Sequence, residues 1–289
     1  MAWERDHLAA VDKLLFRSEL IKVGRFNCDS AHPNFTRTAP LDNDVFAVAR
    51  NSVWIRRGSG RYQFVEPGAI VMHRAGSELE RKDTAGHGDD SFWFGLHPGL
   101  FVEAIERHGL SQNDMGGALH AKPLMRYQLA SLVRQLETGK AETLAVEESV
   151  LAHFDENCSR RANRLRSKSS FRQGTATRRR RLVDNARAFL DEHLSESIKL
   201  AAVASAAGTS LFHLCRIFRE EMGLTLHAYR TLQRLGRAAE QMAEGRPDNL
   251  TELALDLGFS SHSHLCSLFQ KHLGMAPSQL QLAGSESSN

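Results

Sequence analysis

The feature that most constrains this chain is an internal repeat. Residues 200–223 read LAAVASAAGTSLFHLCRIFREEMG and residues 250–274 read LTELALDLGFSSHSHLCSLFQKHLG, a period of about 50 residues. Each copy has a short apolar stretch ending at a glycine (Gly208, Gly258), then a polar turn and a second amphipathic stretch. That second stretch carries Leu-Cys-x-x-Phe (Leu214 to Phe218, Leu265 to Phe269) and stops at another glycine, and one extra residue in the second turn separates the copies. The pattern predicts two helix-turn-helix units. The first helix of each packs behind the second, and glycine suits a turn that needs a left-handed backbone. Ser210 and Ser260 are placed to cap the second helices. These bury Leu214, Ile217 and Phe218, or Leu265, Leu268 and Phe269, and leave the opposite face for a partner. The stretch 225–244 joins the copies as a helix with Tyr229, Leu232, Leu235, Ala239 and Met242 inward. Two copies in register make an ordinary helical bundle a poor account of the pattern, whereas a DNA major groove about 12 Å wide admits such a helix.

Charge is unevenly spread. The net formal charge is only +3, yet residues 159–181 hold ten basic residues and no acid, while 182–284 hold nine basic against eleven acidic. The segment 159–181 therefore reads as a basic, solvated linker that adds nonspecific attraction for phosphates. With 289 residues the chain has room for two domains, and 42% hydrophobic with 25% charged residues is the composition of a soluble globular protein. No apolar run approaches membrane-spanning length, and no apolar signal core opens the chain. Cys28, Cys158, Cys215 and Cys266 stand far apart, which predicts a reducing, cytoplasmic setting without a disulfide framework or structural zinc.

Upstream of the linker, 45–50, 52–56, 62–64, 70–73 and 91–97 alternate or are β-rich, and turn residues separate them. Such spacing predicts a small barrel or sandwich. Helical periodicity follows over 100–108, 123–136 and 144–154. The expected division is a first domain over 1–158, the linker 159–181, an all-α domain over 182–284 and a frayed tail over 285–289.

From about Arg181 to Leu282 the sequence resembles the AraC/XylS family of bacterial transcription regulators. The resemblance rests on Ser210-Leu-Phe-His-Leu-Cys-Arg-Ile-Phe-Arg, Gly223-Leu-Thr with Tyr229, Arg234-Leu and Ala238-Ala239. It continues through Leu253-Ala254, Gly258-Phe-Ser-Ser, Leu265, Phe269-Gln-Lys and Gly274-Met-Ala-Pro277. It implies two recognition helices entering successive major grooves about 34 Å apart on double-stranded DNA. By position, the first would present Ser210, Phe212, His213, Cys215, Arg216 and Arg219, and the second His262, Ser263, Cys266, Ser267 and Lys271. Arg216 is the strongest candidate, since a guanidinium reads guanine bidentately or clamps a phosphate. The second helix departs from the family. Ser267 and Gln270 stand where basic residues are usual, and Gln281 replaces a closing arginine, so the first unit is expected to supply most of the affinity.

The stretch Gly60 to His73 is similar to the Pro-Gly turn (Pro67-Gly68) and following strand of a cupin barrel. The fold class expected is therefore α+β and multidomain: an N-terminal cupin-like β-barrel with following helices, then the all-α double helix-turn-helix domain. The resemblance implies a small-molecule effector in the barrel, with Arg37, Trp54, Arg56, Tyr62, His73 and Trp93 as candidate contacts. It also implies a homodimer through helices of 123–154, and activation with RNA polymerase as a further partner. The alternative is a cupin-type metal-dependent enzyme with a DNA-binding appendage. Against it, His32, His73, His87 and His97 are isolated, and the sole His-x-His, at 262–264, falls in a recognition helix. No metal, cofactor, catalytic residue or membrane association is expected.

Overall fold

The computed structural model describes residues 11–33, 35–37, 41, 43–84, 86–167, 173–245 and 249–280. The expected tail over 285–289, and Gln281, lie outside them. The chain divides into two compact units, one drawn from Met1–Ala121 with Gln135–Ser169, the other from Lys122–Arg134 with Ser170–Asn289.

The first unit contains β1 (Asp12–Arg17), β2 (Ile21–Cys28), β3 (Val45–Ala49), β4 (Val53–Arg57), β5 (Gln63–Val65), β6 (Ala69–His73), β7 (Leu79–Asp83), β8 (Asp89–Leu96) and β9 (Ala118–His120). A six-stranded sheet runs in the order β1-β2-β8-β3-β6-β9, and a three-stranded sheet in the order β5-β4-β7. Their pairings are antiparallel. This is the body of short strands in two sheets that the turn spacing predicts. β1, β2, β7 and β9 went unanticipated, since charged residues such as those of Leu-Glu-Arg-Lys-Asp in β7 interrupt the apolar pattern.

Strand period two sorts the larger sheet into two faces. Val45, Ala47 and Ala49 of β3 turn toward the smaller sheet. Phe46 turns the other way and stacks on Phe94 at 4.7 Å and on Phe154 at 5.8 Å. Two helices of this unit cover that outer face: α1 (Pro98–Arg107) brings Phe101, and α3 (Thr143–Ser167), which follows α2 (Pro123–Glu137), brings Phe154, their rings 5.3 Å apart. Phe46, Phe94, Phe101 and Phe154 are all fully buried, at roughly 1.5–3 kcal/mol each.

The second unit continues with α4 (Gln173–Glu192), α5 (Leu200–Ala207), α6 (Leu211–Met222), α7 (Leu226–Ala243), α8 (Leu250–Asp256) and α9 (His262–Leu273). Leu182, Val183, Ala186 and Leu190 of α4 form one core with Val203, Ala204, Leu214, Ile217, Phe218 and Tyr229. Around the second repeat copy, Leu253, Ala254, Leu265, Phe269 and Leu273 are buried in the same way.

The segment expected as a linker is helical over 159–167, in α3, and over 173–181, in α4. Its arginines have specific tasks. Arg161 donates to the carbonyls of Gly116 at 2.5 Å and Gly117 at 3.1 Å, Arg164 to that of Ala118 at 3.2 Å, and Arg160 to that of His120 at 2.5 Å. Burial lowers the Arg161 pKa to about 10, which still leaves it charged at neutral pH. A charge run read linearly looks solvated, but residues 160, 161 and 164 share one helical face, and that face satisfies the backbone leading into β9.

Candidate nucleic-acid interface and barrel cavity

Each helix-turn-helix is set by local chemistry. Gly208 ends α5 at φ 72°, and Gly258 follows α8 at φ 77°, both in the left-handed region where a side chain is strained. Ser210 caps α6 by accepting from the His213 amide. In the second copy the cap is Ser261, which accepts from the His264 amide at 3.1 Å, and not Ser260, whose hydroxyl meets His264 Nδ1 instead. The extra residue of the second turn accounts for this one-position shift. Arg234 of α7 ties the turn of the second helix-turn-helix to the connection between α4 and α5. It donates to the Leu194 carbonyl at 2.8 Å and to the Gly258 carbonyl, and burial lowers its pKa to about 10. The resemblance includes Arg234, but sequence alone gave no sign of this bracing role.

Capping and packing leave one face of each second helix free. On α6, Ser210, Phe212, Arg216 and Arg219 are exposed, and His213 and Cys215 are half-buried. Phe212 is 86% exposed, a large apolar side chain with no packing role. On α9, Ser263, Ser267 and Lys271 are exposed, and His262 and Cys266 are half-buried, 3.3 Å apart from Nε2 to Sγ. All eleven candidate residues thus have solvent-accessible surface along the two helices or their caps.

The faces differ electrically. Arg216 is 3.2 Å from His213 Nδ1 and 3.7 Å from Glu220 Oε1. Glu220 also accepts from Arg179 of α4, and Arg180 approaches Glu221 at 4.0 Å, so the basic start of α4 lies beside α6. An exposed ion pair is worth only about 0–1 kcal/mol, less than a bidentate guanine contact at about 1–3 kcal/mol, so Glu220 does not hold Arg216 against a base. At the matching position of α9, Ser267 donates to the Ser263 carbonyl at 2.9 Å.

The first unit holds a half-open cavity of about 360 Å³ between its two sheets. Val45, Ala47, Ala49, Val53, Ile55, Val65, Val71 and Leu79 give it apolar walls. Charged and polar side chains, among them Arg17, Lys22, Asn43 and Ser91, line it as well. Arg81 pairs with Asp89 at 2.5 Å and lies 4.4 Å over the Phe26 ring, His73 is buried nearby, and Trp93 donates from Nε1 to Asp12 at 2.6 Å. Burial, with Arg57 and Arg81 adding to it, holds the His73 pKa well below the ordinary imidazole value. Burial also raises the Asp89 pKa, against the pull of Arg81.

Of the six candidate effector contacts, His73 and Trp93 line this cavity. The other four do not. Trp54 lies in tilted contact with Phe64 at 5.2 Å, Arg56 and Tyr62 both bond Glu80, and Arg37 bridges to Glu80 by backbone pairing. Val53 and Ile55 take the inward side of β4, so its even-numbered residues face away from the cavity. Sequence reading missed Arg81 and Asp89. The alternation Leu79-x-Arg81 in β7 carried the signal, because Arg81 shares a face with an apolar neighbour.

Residues 203–283 match the family described as "Helix-turn-helix domain". The chain is 34% identical over 90 residues to "Probable transcription factor PqrA" of Proteus vulgaris, spanning 31% of this chain and 73% of that protein. It is 25% identical over 215 residues to "Probable transcriptional regulator LumQ" of Photobacterium leiognathi, 72% of this chain and 78% of that one. With "HTH-type transcriptional activator RhaS" of Escherichia fergusonii it shares 29% over 94 residues, 32% of this chain and 34% of that one. Among the described residues no single helix is long and apolar enough to cross a membrane.

Proposed function

The chain belongs to the AraC/XylS family of bacterial transcription regulators, and from that premise we propose that it reads DNA with α6 and α9 placed in two successive major grooves. The observation that carries this reading is the exposed face of α6. Phe212, Arg216 and Arg219 stand in solvent on a helix whose opposite side is fully buried, and they offer a base-reading guanidinium, a surface for a thymine methyl and a phosphate contact. α9 is the weaker reader, with Lys271 as its exposed cation. Exposed arginines at the start of α4 add phosphate attraction beside α6.

The barrel cavity is the effector site in this reading. Its volume lies within the range of small-molecule pockets, and its mix of apolar walls with charged and polar side chains suits a compact ligand carrying both apolar and polar groups. The name of RhaS supports activation, which brings in RNA polymerase as a further partner. A homodimer and a cytoplasmic setting complete the reading.

Selection of duplexes from a random DNA pool by the full chain, followed by footprinting, tests the central part. Two protected segments about one helical turn apart are expected, and recovery of no preferred sequence contradicts the reading. A thermal-shift screen of metabolites tests the effector part. A true effector raises the melting temperature of the unmodified chain but not of Ala47→Leu, which narrows the cavity.

A further inference from the structure

A buried ionic contact joins α2 to α7 within the second unit. Arg126 of α2 is 2% exposed, and it donates from Nε and Nη2 to the two carboxylate oxygens of Glu240 at 2.7 and 2.8 Å. Its Nη1 donates to Gln233 Oε1 at 3.1 Å. A forked guanidinium–carboxylate pair fixes an angle as well as a distance. Gly236 lies between Gln233 and Glu240, and a Cβ there would come within 2.2 Å of Arg126 Nη1. Glycine is a poor residue for a helix interior, and here it makes room for the guanidinium.

Two further contacts extend the grip. Tyr127 donates from its hydroxyl to the Leu280 carbonyl at 2.9 Å, and Arg134 donates to the Ala243 carbonyl at 3.2 Å. Ala243 ends the helix that leads into the second helix-turn-helix, and Leu280 lies in the segment that leaves it. The grip therefore falls on both approaches to α9. The geometry points to Arg126 as a positioning residue for DNA binding: through Glu240, α2 sets the angle at which the second helix-turn-helix meets its groove. α9 has few charges with which to correct its own placement, so its share of binding depends on being held. This assignment rests on the DNA-binding reading above.

The test uses the full chain and the duplex it selects from the random pool, with hydroxyl-radical footprints read separately at the two segments. The segment that fades in Arg216→Ala belongs to α6. Three variants are compared. Arg126→Gln with Glu240→Gln removes both charges together, Arg126→Lys keeps the charge without the fork, and Tyr127→Phe removes one hydroxyl. All three are expected to lose protection at the α9 segment and keep it at the α6 segment. Affinity falls on the order of fivefold or more for the double variant and less for Tyr127→Phe. Parallel fading of both segments, or unchanged footprints in variants whose melting temperature falls, overturns the assignment, since a merely structural contact behaves that way. If the unmodified chain selects no duplex, the DNA-binding reading fails and this assignment fails with it.

Discussion

Phe212 and Phe218 lie on the same helix, six positions apart, one 86% exposed and the other wholly buried. Phe218 packs edge-on against Tyr229 at a centroid distance of 5.4 Å, whereas Phe212 extends into solvent. The two substitutions to alanine should therefore separate stability from recognition. Phe218→Ala is expected to cost about 3–5 kcal/mol of stability. Phe212→Ala should leave the melting temperature unchanged and relax the preference for thymine at one operator position, read by repeating the duplex selection. An unchanged preference would remove Phe212 from the interface.

The arginines at the start of α4 do not all do the same thing. Arg179 is buried against Glu220, while Arg178, Arg180 and Arg181 are exposed. Replacing these three with glutamine is expected to weaken DNA binding at every sequence alike, and to flatten the dependence of log affinity on log salt by up to about one unit per residue. An unchanged slope would place them away from the phosphates.

Burial divides the four thiols into two pairs. Cys28 and Cys158 are buried, and burial pushes the Cys158 pKa up to about 12. Cys215 and Cys266 are half-buried, at matching positions of α6 and α9. A thiol reagent should titrate those two in the native protein, reach the buried pair only on unfolding, and react more slowly when operator DNA is bound. Reaction of Cys215 and Cys266 at the same rate with and without DNA would contradict the proposed interface.

The repeat revealed the second unit because it rests on local signals that survive in one dimension: glycine stops, apolar spacing and a polar turn. The barrel was harder to read. Whether Trp54 or Val53 faces inward depends on the pairing of β4 with β5 and β7, which is a long-range fact. Arg81 and Asp89 sit inside because each neutralises the other, and rules that place charges at the surface miss such a pair. The helices of 123–154 are the expected dimer contacts, and within that stretch Arg126, Tyr127 and Arg134 already bond residues of the second unit. Arg126 shares a helical face with Leu129, Ala130 and Val133, and a charge on an apolar face was the available clue.

His73 gives the barrel a pH dependence whose sign follows from its burial. The unfolded chain takes up a proton near the ordinary value of 6.5, while the folded chain holds the imidazole neutral to well below it. Stability is therefore full above about pH 6.5 and declines below it, by up to about 1.4 kcal/mol per pH unit, until the folded pKa is reached. Melting curves of the full chain from about pH 7 to about pH 5 should show this decline, and His73→Asn should lessen it. Equal slopes in the two proteins would refute the assignment.

Arg216 on α6 and Ser267 on α9 occupy positions that the repeat makes equivalent but that differ in chemistry. The direct measurement is the affinity of Arg216→Ala and Ser267→Ala for the selected duplex, at one fixed salt concentration, with melting temperatures checked in parallel. Arg216→Ala is expected to lose about 1–3 kcal/mol of binding and Ser267→Ala less than about 0.5 kcal/mol, with both proteins as stable as the parent. Equal losses, or a larger loss at Ser267, would contradict a first helix-turn-helix that supplies most of the affinity.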